Sequence, residues 1–171
     1  SDIAVIGEGE LTMLDLVDKI QNEQPLNDVK GIAYREQGEI RINTMRENIK
    51  DLDSLPFADW ESLPMHKYWD RWTIKKNYAC LIVSRGCPFS CTFCTDGNVV
   101  RSKVYHKSEK YIKEELEYIA AKVKSYLGLI SADLNFGSYV HDIETAKIIR
   151  DVYKEHEWPQ RMIVSSGKTR P

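Results

Sequence analysis

Apolar residues in this chain change their spacing several times, and each change marks an element. Near the start, Asp2-Ile3-Ala4-Val5-Ile6 is a short, mostly apolar run ending in Gly7-Glu8-Gly9-Glu10, the pattern of a buried strand delivered into a turn. Leu11, Leu14, Val17 and Ile20 then recur at helical spacing, with Met13 and Leu16 widening the stripe, until Pro25 forbids continuation. A single strand cannot make a sheet, so this unit is expected either to end a truncated domain or to lend its strand to a sheet elsewhere. Ile32-Ala33-Tyr34-Arg35 and Glu39-Ile40-Arg41-Ile42 flank Glu36-Gln37-Gly38 as a hairpin would, with the glycine free to take positive φ. From residue 44 to 77 the periodicity fails. Phe57, Trp60, Tyr68, Trp69 and Trp72 stand there among Pro56 and Pro64, and disordered linkers are poor in aromatics, so a linker draped over a neighbouring surface is expected.

The second half alternates regularly. Residues 78–84 carry Ala79, Cys80, Leu81, Ile82 and Val83, a continuous apolar run typical of a strand covered on both faces, which makes Cys80 a small core residue. Ser108 is placed as the N-cap of a helix whose apolar positions Ile112, Leu116, Ile119, Ala120, Val123 and Leu127 form one stripe, with Gly128 as its stop. Residues 129–132 read as a second strand, 142–155 as a second helix through Ile143, Ala146, Ile149 and Val152, and 162–164 as a third strand. Strand, helix, strand, helix, strand implies parallel pairing with right-handed crossovers, and in such sheets chemistry gathers at the carboxyl ends of the strands.

Composition narrows the class without deciding it. The 171 residues are 42% hydrophobic and 29% charged with a net charge of -2, ordinary for a soluble protein and without the basic stripe that tracks a nucleic-acid backbone. No run approaches the roughly 20 apolar residues of a membrane span, and no secretory signal is visible, so a cytoplasmic protein is expected. Four cysteines, three of them within eight residues, suit a metal or cluster in a reducing compartment better than a disulfide scaffold.

Those three, Cys87, Cys91 and Cys94, lie in Ser84-Arg85-Gly86-Cys87-Pro88-Phe89-Ser90-Cys91-Thr92-Phe93-Cys94, on the loop that leaves the first strand of the second half. A short loop turning three thiolates to one point can hold an iron-sulfur cluster by three irons and leave the fourth open to a ligand. A structural zinc site with His106 as fourth ligand is the competing reading, although such sites usually pair their cysteines in two separated knuckles. Arg85-Gly86 suits a strand exit with a glycine turn as well as it suits a cluster-positioning arginine. Ser166-Gly167-Lys168-Thr169 is not a phosphate loop, because the first glycine of that motif would fall at Met162. His66, His141 and His156 read as surface or capping residues.

The cysteine spacing, with Phe93 before the third cysteine and a buried strand before the loop, resembles the cluster motif of the radical S-adenosylmethionine enzymes. Val5-Ile6-Gly7-Glu8-Gly9-Glu10, Gly31-Ile32-Ala33-Tyr34-Arg35, Asp51-Leu52-Asp53-Ser54-Leu55-Pro56-Phe57 and Asn135-Phe136-Gly137 resemble the cobalamin-associated branch of that family, so the likeness spans nearly the whole chain. It implies a 4Fe-4S cluster on Cys87, Cys91 and Cys94, with the amino and carboxylate groups of S-adenosylmethionine on the fourth iron. One electron would then cleave the sulfonium to a 5'-deoxyadenosyl radical, for methylation or rearrangement at an unactivated carbon. By the same resemblance Phe93 would help place the adenine, and Asp133 and Asn135, at the end of the second strand, would offer charge and hydrogen bonds to the methionine moiety.

The fold implied is α/β: a partial (β/α) barrel of about three parallel units, where the family core has roughly six, preceded by a strand-helix remnant of a Rossmann-like domain and a hairpin linker. The corresponding divisions are residues 1–30, 31–77 and 78–171. Cobalamin would belong to the intact protein, since the chain holds at most the last strand and helix of its binding domain. An electron donor such as flavodoxin or ferredoxin and a small-molecule or peptide substrate are the implied partners, and self-association through the open barrel edge is a further expectation. The alternative is a catalytically silent fragment or a structural metal module that retains the cysteines.

Overall fold

The structure, a computed structural model, describes residues 2–67, 78–89, 91–94, 103–123 and 128–165. Tyr68, Trp69, Trp72, Ser90, Leu127, the Ser166-Gly167-Lys168-Thr169 run and the side chain of His66 lie outside them. The chain divides into two compact units, Ser1–Lys50 and Asp51–Pro171.

In the first unit, β1 (Ile3–Val5), β2 (Ile32–Glu36) and β3 (Glu39–Ile42) form an antiparallel sheet in that order, with α1 (Glu10–Gln21) between β1 and β2 in the chain. The strand that sequence left without neighbours therefore joins the hairpin, Ile3 opposite Tyr34 and Val5 opposite Ile32. Gln37 and Gly38 both take positive φ, the two-residue turn that matches the twist of paired strands. The core is Leu16, Val29, Ile32 and Tyr34. The helix faces it differently from the expected stripe: Thr12 and Leu16 are buried while Leu11, Leu14, Val17 and Ile20 are exposed. The reason lies in Thr12, whose hydroxyl donates to the carbonyls of Glu8 and Lys30 and accepts from Arg46 Nε, binding that side of the helix to the chain around it.

The second unit contains the parallel sheet. β4 (Tyr78–Leu81), β7 (Gly128–Ser131) and β8 (Arg161–Ile163) lie in the order β4-β7-β8, both pairings parallel. β5 (Ser84–Arg85) and β6 (Tyr105–His106) form a two-stranded antiparallel ladder. The helices α2 (Glu109–Lys122) and α3 (Val140–His156) are the crossovers. Ile112, Leu116, Ile119, Ala120 and Val123 of the expected stripe are all buried, against Ala79, Leu81, Val83 and Leu129. Ser108 caps α2 as expected, accepting from the Tyr111 N–H at 3.1 Å, and its own N–H donates to Asp53.

Several expectations are revised. Gly128 does not stop a helix: α2 ends at Lys122 and Gly128 opens β7, where a Cβ would stand 1.9 Å from the Arg161 carbonyl oxygen of the neighbouring strand. Cys80 is exposed, because the helices cover the Ala79 and Leu81 face only, and Cys80 shares the other face with Ile130 and Ile163, its register neighbours. On α3 the buried residues are Asp142, Thr145, Ile149 and Val152, while Ile143 is exposed. Asp142 turns inward because its Oδ2 accepts the N–H groups of Gly137 and Tyr139 at the helix start. The aromatic segment after residue 51 packs within this unit: Phe57 lies 4.9 Å from the Tyr111 ring and 5.5 Å from that of Tyr118, and Trp60 and Met65 reach the core. No helix among the described residues is long and apolar enough to cross a membrane.

Candidate cluster-binding loop

Both elements that build the site leave the carboxyl end of the parallel sheet. The first strand does not run on to Ser84 as its apolar composition suggests. Ladder bonding ends with the Ala132 N–H on the Leu81 carbonyl, and the next backbone donors, Val83 and Ser84, turn to a side chain, that of Asp133 beyond β7. The carboxylate of Asp133 accepts from Val83 N at 3.1 Å, Ser84 N at 2.5 Å, Ser84 Oγ at 2.7 Å and Ser131 Oγ at 2.8 Å. It is 2% exposed. A carboxylate receiving four donors in an apolar surrounding is a structural clamp. Its charge is satisfied by the chain itself, so Asp133 does not present an open carboxylate to an amino group, as the resemblance implied, but fixes the root of the cysteine loop to the end of β7.

Gly86 makes the next turn at φ +108°, and a Cβ there would stand 2.2 Å from the carbonyl oxygen of Lys103. Only glycine passes so close to another backbone in that conformation. The chain then enters Cys87, 4% exposed. Cys91 and Cys94 are half-buried and share a turn in which the Cys94 N–H donates to the Cys91 carbonyl at 3.0 Å. Phe93, within that turn, is 86% exposed. Asn135, 2% exposed, points its amide at Cys87, Nδ2 donating to Sγ at 3.1 Å, while its Oδ1 is buried with no hydrogen-bond partner among the described residues.

The structure thus brings Cys87 and Asn135 into contact, sets Asp133 behind them, and leaves Phe93 outward. Among the described residues no three His, Cys, Asp or Glu side chains stand close enough to share one metal ion. Thiolates on different irons of one cluster stand farther apart than thiolates sharing one ion. Three cysteines on one loop, one of them with an amide N–H on its sulfur, are a donor set that fits a 4Fe-4S cluster.

A second cluster escaped the sequence. His106, on β6, lies with its ring 4.5 Å from that of His141 and 5.4 Å from that of Tyr139, at the start of α3. Burial, and after it the neighbouring His141, holds the His106 pKa below its ordinary value. The two histidines are 35 residues apart in sequence, and nothing in their spacing announces the contact.

No family model matches the chain. Among curated proteins, it is 33% identical over 121 residues to an uncharacterized methyltransferase of Pyrococcus horikoshii, covering 69% of this chain and 25% of that protein. With the cobalamin-dependent radical SAM methyltransferase TokK of Streptomyces tokunonensis it shares 24% over 174 residues, 98% of this chain and 24% of the other. Among solved structures, the cobalamin-dependent S-adenosylmethionine radical enzyme OxsB superposes with a TM-score of 0.65 at 24% identity, over 96% of this chain and 22% of that one. The methyltransferase TsrM of Kitasatospora setae, solved with cobalamin and a 4Fe-4S cluster bound, superposes with a TM-score of 0.59 at 12% identity, over 91% of this chain and 30% of that one. The chain is similar to radical S-adenosylmethionine enzymes, the class to which these relatives and structural neighbours belong. Of the curated relatives, four are methyltransferases and three are anaerobic magnesium-protoporphyrin IX monomethyl ester cyclases, while TokK, TsrM and OxsB are cobalamin-dependent or solved with cobalamin bound. The chain spans about a quarter of the length of the two curated relatives named here.

Proposed function

We propose that this chain forms the S-adenosylmethionine-cleaving part of a radical enzyme that methylates or rearranges an unactivated carbon, with a 4Fe-4S cluster on Cys87, Cys91 and Cys94. The observation that carries this reading is the cysteine loop itself, rooted by Asp133 at the carboxyl end of the parallel sheet and touched there by Asn135. A cluster so held would supply one electron to the sulfonium of S-adenosylmethionine. The chain's own residues would do the positioning. The Asn135 Oδ1, buried and without a partner among the described residues, is an acceptor suited to the amino group of the methionine moiety. The backbone at Phe93 would border the adenine. Methyltransferases among the relatives favour methyl transfer as the outcome, with cobalamin as second cofactor of the intact protein. A flavodoxin- or ferredoxin-like donor and a cytoplasmic setting complete the proposal.

Anaerobic reconstitution of the chain with iron and sulfide tests it. The expected result is a cluster with stoichiometric iron and sulfide, absent in Cys87→Ala, and release of 5'-deoxyadenosine from S-adenosylmethionine under reduction. Uptake of zinc alone, stable in air, would overturn it.

A further inference from the structure

We propose that Asn135 is a positioning residue for Cys87 and raises the reduction potential of the cluster by donating its Nδ2–H to the Cys87 sulfur. The inference rests on the cluster reading above and adds to it a specific electronic role. The donor stands 3.1 Å from Sγ, and the two residues are 2% and 4% exposed, so the contact lies in a low-dielectric surrounding where such a bond is electrostatically strong. A thiolate accepts and cannot donate. The amide must therefore present its Nδ2, and its carbonyl oxygen, which would repel the sulfur, is turned away and left without a partner among the described residues.

Both sides of the contact are fixed by one clamp. Asp133, two residues before Asn135, holds the backbone of Val83 and Ser84, four and three residues before Cys87. On its far side the Asn135 carbonyl accepts from the Ser138 N–H at 3.2 Å. The distance is thus set by the framework more than by side-chain freedom. An electron added to the cluster increases the negative charge on its sulfur ligands. A fixed N–H donor stabilises that reduced state more than the oxidised one, and hydrogen bonds to sulfur are among the levers that set cluster potentials. Cys91 and Cys94 are half-buried and face more solvent.

The test is a potential titration, followed by electron paramagnetic resonance, of the reconstituted wild-type chain, Asn135→Leu and Asn135→Gln, with circular dichroism as the control for folding. Leucine keeps the branching at Cγ and removes the donor, so the midpoint is expected to move to more negative potential. Glutamine keeps a carboxamide and is expected to recover part of the shift. A folded leucine variant that loses its cluster while the glutamine variant keeps it also supports the orienting role. A leucine variant with the wild-type midpoint, a glutamine variant displaced as far as leucine, or loss of the cluster from both would overturn the proposal. A wild-type chain that takes up no iron and sulfide sinks the cluster reading itself, which separates the two failures.

Discussion

Gly86 carries more of the loop's geometry than any cysteine does. Its φ of +108° and the 2.2 Å approach that a Cβ would make to the Lys103 carbonyl mean that Gly86→Ala must move one of two backbones. A non-glycine residue in such a conformation costs about 1–3 kcal/mol before any clash is relieved. Gly86→Ala is therefore expected to lose at least that much stability in denaturant titrations and to take up less iron, and an alanine variant with wild-type stability would show the turn to be slack. A second residue makes a pH prediction. Glu115 is buried against Lys107, 2.6 Å away, and burial raises its pKa although Lys107 opposes the rise. A carboxyl with a raised pKa binds more protons folded than unfolded, so stability falls as pH climbs from the ordinary carboxylate value through the raised one. Glu115→Gln should flatten that fall; the check is the urea midpoint followed across the mildly acidic range, and an unchanged slope would refute it. The sequence revealed the cysteines and singled out Asp133 and Asn135 as polar groups at a strand end, yet not their partners. Each partner lies about fifty residues away, and only the sheet brings Asp133 to Ser84 and Asn135 to Cys87.

Elements were legible where one apolar face meets one surface. α2 does so: its stripe packs on β4 and β7 as its spacing implied, and Leu116, wholly buried, should cost about 2–5 kcal/mol as Leu116→Ala. α3 follows its apolar spacing at Ile149 and Val152 but not at its start, and α1 only at Leu16, because in each a polar residue binds the helix start from the inside, Asp142 in one and Thr12 in the other. Ile143, apolar but 58% exposed, gives the contrast: Ile143→Ala should change stability by less than about 0.5 kcal/mol. Paired thermal and chemical melts of the two variants decide the matter, and similar losses in both would mean that α3 is covered on the side where Ile143 lies. The interruption after Leu81 was invisible for a related reason. Apolar composition reports burial, and Val83 is buried, but its N–H is held by a distant carboxylate rather than by a ladder.

For the whole molecule, the informative fact is that each unit has its own core. Sequence pattern grouped the first strand and helix as one remnant and the hairpin as a linker, since nothing local says that β1 pairs with β2 across a helix. Non-local pairing is what periodicity cannot encode. The consequence is thermodynamic: Leu16, Val29, Ile32 and Tyr34 stabilise the first unit, while α2, α3 and the parallel sheet share a separate, larger cluster. Segments with separate cores open separately, each with its own free energy. Ile32, wholly buried between β1 and β3, is the residue to probe this. Ile32→Ala should remove about 2–5 kcal/mol from the first unit by the transfer and cavity terms of a buried truncation. In amide hydrogen exchange, protection should fall across β1 to β3 and α1 while α2, β7 and the backbone amides of Val83 and Ser84 on Asp133 keep theirs. If protection falls equally in both units, they open as one cooperative body, and the cysteine loop then depends for its stability on the first unit's core as well as on Asp133.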